Sequence, residues 1–262
     1  MLGAIAGDIV GSVHEARPVG RRDFPLFHRR ARFTDDSVLM VAVAHAIVEA
    51  RPYREALHEH GRRYPDAGYG ASFIGWLADD DPRPYNSFGN GAAMRVSPVG
   101  FAFDDDVAVL AEAERSAAVS HDHPEGIKGA QATALAVLRA RHGHGPEAIR
   151  DEIARRFGYD LDRSVDEIRP HYGFDVTCQG SVPEAIIAAL DAPSWEDAVR
   201  DAVHLGGDAD TQACIAGGIA EARHGLPAEL VERVLGYLPD DLRATVHVFR
   251  ERFPAGRSPA SS

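Results

Sequence analysis

"DDSVLMVAVAHAIVEA", residues 35–50, runs through sixteen residues rich in Ala, Val and Leu without one Gly or Pro. Strands average about five or six residues, so a run of this length is a helix. The same texture returns in "DVAVLAEAERSAAVS" (106–120) and "GIKGAQATALAVLRARHG" (126–143), the second closing on Arg, His and Gly, a helix stop. "SVPEAIIAALDA" (181–192) offers Ser181 as an N-cap, with Pro183 early and Glu184 in the first turn. "SWEDAVRDAVHLG" (194–206) opens on Ser194 as cap, with Glu196 and Asp197 in its first turn. "PAELVERVLGYL" (227–238) and "LRATVHVFRERF" (242–253) complete the set. No alternating strand pattern competes with these, so an all-α fold in one compact domain is expected over residues 1–255. Loops are expected at 16–33, 63–70, 79–100 and 158–180, and 256–262 reads as a flexible tail.

The chain has 262 residues, 45% of them hydrophobic, which is enough for a sizeable core. Its formal net charge is −12. That argues against nucleic acid as a partner, since phosphate-backbone binders carry basic patches. Two cysteines, Cys178 and Cys214, stand far apart and form no CxxC pair, which argues against a thiolate zinc site and a disulfide framework. The first residues, "MLGAIAGDIVGSVHEARP", carry Asp8 and no basic leader, and no stretch reaches the ~20 apolar residues that span a bilayer. A soluble, cytoplasmic monomer is the expectation.

Acid is concentrated at the front of two greasy helices. "FTDDSVL" places Thr34, Asp35 and Asp36 before the 35–50 run. "VHLGGDADTQACIAGGIAEARHG" (203–225) places Asp208, Asp210 and Thr211 behind Gly206 and Gly207. Residues i and i+2 of a regular helix point about 200° apart. Asp208 and Asp210 therefore converge only if the first lies on the incoming turn and the second on the helix. A single carboxylate suffices as an N-cap, whereas two with a threonine exceed that job. Like charges are costly to gather without a cation, and an all-oxygen donor set suits Mg²⁺ or Mn²⁺ better than zinc.

Three further stretches stand out. Glycines 3, 7 and 11 form a small-residue stripe for close helix packing. Glu15 follows at or past that helix's C-terminus, an unfavourable field for a carboxylate unless something compensates. Asp8 reads equally as helix surface or as support behind a metal site. "NSFGNGAAMRVSPVG" (86–100) could cradle a phosphate with its backbone amides. In "SHDHPEG" (120–126), His121 and His123 read as a solvated loop, or His121 reaches a pocket.

In this order, "GAIAGDIVGSVHEA", "FTDDSVL", "SFGNGAAMRVSP", "SHDHPEGIKGAQATALAV" and "GGDADTQACIAGGIAEARHG" resemble the ADP-ribosylglycohydrolases, the group that includes the dinitrogenase reductase-activating glycohydrolase and the ADP-ribosyl-acceptor hydrolases. "CQGSVPEAI" also looks like a family segment. The resemblance implies an all-α fold with a dinuclear metal cleft holding two divalent cations, Mg²⁺ or Mn²⁺. It assigns Thr34, Asp35, Asp36 and Asp210 to one cation and Glu15, Asp208, Asp210 and Thr211 to the other. It implies ADP-ribose on Ser87, Gly89, Asn90 and Gly91, with Phe88 stacking near the adenine or ribose and His121 near the distal ribose or diphosphate. The implied reaction is hydrolysis at C1″ of an ADP-ribosylated protein or small-molecule acceptor, with Glu15, Asp35 or Asp36 handling the proton. Ser37 stands where the family often has threonine, which keeps the hydroxyl. The chain is short for the family, so loops that choose the acceptor are open to trimming.

Two rival functions compete with this one. An ADP-ribose-binding module without turnover would bind and release nothing, but every expected ligand position is intact. A metal-dependent phosphatase of the DxDxT type needs its threonine one residue later than "DADT" has it. It also needs a hydrophobic strand where "DAVHLGG" reads as a helix end and turn.

Overall fold

A computed structural model describes residues 1–15 and 19–254, and every regular element among them is helical. The first eight α-helices are α1 (Leu2–Gly11), α2 (Asp35–Val48), α3 (Tyr53–Arg63), α4 (Ala71–Ala78), α5 (Gly91–Met94), α6 (Ser97–Ala102), α7 (Asp106–Ala117) and α8 (Pro124–Arg141). Seven more follow: α9 (Pro146–Phe157), α10 (Val165–Ile168), α11 (Cys178–Asp191), α12 (Trp195–Leu205), α13 (Ala209–His224), α14 (Ala228–Leu235) and α15 (Asp240–Arg252). The described helices share one hydrophobic core, so the all-α, single-domain expectation holds. None is long and apolar enough to cross a membrane. The proposed tail, 256–262, lies outside the described residues, as do residues 16–18 of the first expected loop.

α13 lies at the centre. Its residues Ala209–Glu221 are all buried, as is the whole of α1. A helix apolar on all sides must be enclosed by others, and α1, α8, α11 and α12 pack around α13. The glycine stripe explains how α1 comes so near. A Cβ on Gly7 would stand 1.9 Å from the Ala213 carbonyl oxygen, and one on Gly11 would stand 2.4 Å from the Asp210 Cα. Both neighbours are backbone and cannot move aside. The stripe thus presses α1 onto the first turns of α13 and brings Asp8 and Glu15 towards Asp210.

Sequence and structure differ in places. α11 begins at Cys178, not near Ser181, and its N-cap is Thr177, whose hydroxyl accepts from Gly180 N–H. The Ser181 hydroxyl instead donates to the Thr177 carbonyl at 2.7 Å. The start is fixed from outside: Cys178 N–H donates to Phe88 O at 2.9 Å and Asn90 N–H to Val176 O at 2.8 Å. Pro183 therefore lies inside the helix. The expected loop 79–100 contains α5 and α6, and 158–180 contains α10. Ser194 caps α12 as expected, accepting from Asp197 N–H at 3.1 Å.

Candidate active site

One cleft of about 440 Å³ collects most of the singled-out residues. Its acidic part is lined by Glu15, Asp35, Asp36, Asp208, Asp210 and Thr211. Its other part is lined by Ser87, Gly89, Asn90, Gly91 and His121. Of the residues the family resemblance assigns to cations or ADP-ribose, Thr34 and Phe88 do not line it.

The α2 acids are not caps. Thr34 is the N-cap, its hydroxyl oxygen accepting from Asp36 N–H at 3.3 Å, which leaves both carboxylates free. Asp35 borders Gly68, and its N–H donates to Ala67 O at 3.1 Å. Asp36 is buried, and its Oδ2 has no hydrogen-bond partner. Thr211 Oγ1 lies 3.4 Å from Asp36 Oδ1, joining α13 to α2.

Asp208 occupies the N-cap position of α13 yet makes no side-chain cap bond. Gly206 and Gly207, at φ 82° and 74°, make the left-handed turn that delivers it. Its Oδ2 accepts from Asn90 Nδ2 at 2.7 Å, which ties the glycine-rich loop to the acids. Asp210 follows one residue inside the helix, and its Oδ1 accepts from Thr211 N–H at 3.0 Å. Capping alone therefore does not account for this pair. Glu15 stands beyond α1 with part of its side chain exposed, and partial desolvation and Asp210 raise its pKa against the pull of Arg32.

Asp8 resolves as support. It is fully buried and accepts from Thr34 N–H at 2.9 Å, Thr34 O–H at 2.6 Å, Ser37 N–H at 3.2 Å and the Ser37 hydroxyl. Those four bonds favour its charged form, but burial and the Asp210 charge outweigh them and push its pKa up to about 7. Burial and Asp210 likewise raise Asp35 to about 7, and raise Asp36 and Asp208 well above the usual carboxylate range.

Among the described residues, no three or more His, Cys, Asp or Glu side chains form a ready-made metal site. The donor chemistry nevertheless fits a hard cation: carboxylate and hydroxyl oxygens only, mutual repulsion, and a buried acceptor without a donor at Asp36.

The glycine-rich loop is fixed on two sides. Asn86 takes φ 55°, a conformation Asn tolerates, and its N–H donates to Asp122 Oδ1 at 2.7 Å. An isolated bridge pairs Gly89 with Thr177. His121 is buried behind the loop, and burial followed by the Arg95 charge holds its pKa well below the usual histidine value. His123 is the N-cap of α8, its Nδ1 accepting from Glu125 N–H at 3.1 Å. The Phe88 ring is 45% exposed and stands edge-on to His123, with centroids 5.4 Å apart.

Phe174, Val176, Tyr85, Phe73 and Arg95 also line the cleft and were not singled out from sequence. Phe174 is 63% exposed, an aromatic ring offered to the cleft mouth. Its loop is held by Tyr172, whose hydroxyl donates to Gly180 O at 2.8 Å and accepts from Gln212 Nε2 at 2.8 Å.

Comparison with known proteins bears on the fold and the family. A solved structure of an "ADP-ribosylglycohydrolase-related protein complex" superposes with a TM-score of 0.69 at 23% identity, covering 96% of each chain. Mouse ADP-ribosylhydrolase ARH3 is 26% identical over 86% of this chain and 83% of its own. The ADP-ribosylarginine hydrolase Tri1 of Pseudomonas putida is 26% identical over 89% of this chain and 72% of its own. The class is thus an all-helical hydrolase. The ADP-ribosylglycohydrolase family model matches residues 1–258, and the chain belongs to that family.

Proposed function

We propose that this protein hydrolyses the bond between C1″ of the distal ribose and an acceptor, releasing ADP-ribose. The observation that carries the reading is the composition of one cleft. Acids from three separate segments share it with a glycine-rich loop and a buried histidine. A ribose held between them has its diphosphate on the loop and its C1″ near the carboxylates.

Thr34, Asp35, Asp36 and Asp210 would hold one divalent cation, and Glu15, Asp208, Asp210 and Thr211 a second. When bound, such cations supply positive charge and lower the pKa of water. Thr34 contributes from behind the cleft wall, where Asp8 fixes it. Asn90 holds Asp208 in place and so couples loop position to acid position. Ser87, Gly89 and Gly91 let the diphosphate approach the backbone closely. In the reaction, water oxygen bonds to C1″, the C1″–acceptor bond breaks, and its electron pair leaves with the acceptor atom. The water proton passes to Glu15, Asp35 or Asp36 and on to the acceptor.

The test is release of free ADP-ribose from ADP-ribosyl-arginine, an ADP-ribosyl-serine peptide and O-acetyl-ADP-ribose, each with Mg²⁺, Mn²⁺ or EDTA. Metal-dependent release from one of them, lost in folded Asp208→Asn and Asp210→Asn, is the expected result. Equal rates in those variants, or no binding of ADP-ribose at all, would overturn the reading.

A further inference from the structure

Among the described residues, Arg95 is the largest fully buried side chain, and it stands in the wall of the cleft. A buried guanidinium ordinarily has a carboxylate beside it. Among the described residues, the groups that favour its charge are Tyr85 and Cys178, not a carboxylate, and burial lowers its pKa to about 10. Its Nε and Nη1 have no hydrogen-bond partner. Only Nη2 is engaged, donating to Ser116 O at 2.9 Å, Ala117 O at 3.5 Å and Ser120 Oγ at 2.9 Å. Two of those acceptors are carbonyls at the end of α7, where a cation satisfies groups the helix leaves open. That part of its role is structural.

The third acceptor leads towards the cleft. Ser120 Oγ lies 2.8 Å from His121 Nδ1. Because Ser120 Oγ already accepts from Arg95, its own proton needs an acceptor, and His121 Nδ1 is the one within reach. The imidazole then carries its proton on Nε2. That nitrogen faces the glycine-rich loop: a Cβ on Gly91 would stand 3.0 Å from it, and one on Gly89 would stand 3.6 Å away. The missing side chains leave the Nε2–H open to the cleft beside two glycines of one loop, whose backbone could cradle an anion.

We propose that Arg95 is a positioning residue which, through Ser120, orients and tautomerises His121 so that its Nε2–H points to the diphosphate. The ligand in that statement rests on the function proposed above; the relay itself does not. Burial and the Arg95 charge keep the ring neutral, so it serves as a hydrogen-bond donor of fixed direction.

The experiment separates the two. Long-range ¹⁵N–¹H correlation spectra of the ligand-free protein report which His121 nitrogen carries the proton, and calorimetry reports ADP-ribose affinity. Wild type is expected to show the Nε2–H form. Ser120→Ala keeps the Arg95 contacts to α7 but removes the link. It is expected to shift His121 towards the Nδ1–H form and weaken ADP-ribose binding on the order of tenfold. With substrate, KM rises by more than kcat falls, as for a contact made equally in ground and transition states. A purely structural Arg95 would move stability and neither the tautomer nor that split. Nδ1–H in the wild type, or Ser120→Ala with unchanged tautomer and affinity, overturns the proposal. If Ser120→Ala does not fold, the wild-type spectrum alone decides. The expected tautomer, lost in Ser120→Ala in a protein that binds no ADP-ribose, upholds the relay and overturns the ligand reading.

Discussion

Asp8 on α1 holds Thr34 at the head of α2 by two bonds at once, accepting its N–H at 2.9 Å and its O–H at 2.6 Å. Asp8 itself does not line the cleft. It fixes the turn from which Asp35 and Asp36 enter it, so the α2 acids depend on a residue 26 positions before Thr34.

Asp8→Asn is expected to uncouple that turn. An amide offers two donors where Thr34 and Ser37 present donors of their own, so at least one buried contact becomes N–H against N–H or O–H. Mn²⁺ affinity, measured by calorimetry, is expected to fall ~10–100-fold, the usual cost of losing support behind metal ligands. Unchanged affinity in a folded variant would show that Asp8 serves stability alone.

Gly7→Ala tests the approach of α1 to α13. The added methyl would sit 1.9 Å from the Ala213 carbonyl oxygen, so the helices must separate. Overpacking of this kind costs ~1–3 kcal/mol or more, read as a lower urea midpoint. Gly20, whose Cβ would meet nothing within 4 Å, is the control. A Gly7→Ala midpoint equal to that of Gly20→Ala would refute the close-packing argument.

The acids at the heads of α2 and α13 were legible because each combined more carboxylates than a cap requires with a long apolar run. The glycine stripe was legible as packing, but its partner helix was not, since spacing does not name what it packs against. Arg95 gave no signal because its acceptors are two backbone carbonyls and a serine hydroxyl, and none of these marks a site in sequence. Phe174 gave none because its loop has no periodicity and is held by a Tyr172–Gln212 bond spanning 40 positions. The sequence points to Ser181 rather than Thr177 as the α11 cap because the groups that fix the true start, Phe88 O accepting from Cys178 N–H and Asn90 N–H donating to Val176 O, come from a distant loop.

Phe174 and Phe88 make opposing expectations for the planar end of the ligand. The resemblance assigns stacking to Phe88, whose ring stands against His123 outside the cleft. Phe174 lines the cleft and exposes more of its ring. Loss of an aromatic that stacks on a base costs ~1–3 kcal/mol. Phe174→Ala is therefore expected to weaken ADP-ribose binding about 5–150-fold by calorimetry, and Phe88→Ala by less than about twofold. The reverse order would return the stacking role to Phe88.

The crowded carboxylates also set a pH dependence. Asp8 and Asp35 are raised from an ordinary aspartate value to about 7, and Asp36 and Asp208 are raised as well. A raised folded-state pKa means that the folded protein holds protons the unfolded chain gives up. The associated stability is fully present below the unfolded value near 4, and it is lost as pH climbs through about 7. The protein in EDTA is thus expected to melt at progressively lower temperature from about pH 5 to pH 8. A cation replaces those protons as the neutralising charge, so the melting-temperature gain from Mg²⁺ or Mn²⁺ should grow over the same interval. Asp36→Asn removes one of the repelling charges and is expected to flatten the EDTA profile while reducing the cation gain. A melting temperature that rises with pH in EDTA, or a cation gain independent of pH, would mean that these carboxylates are not the groups the cation neutralises.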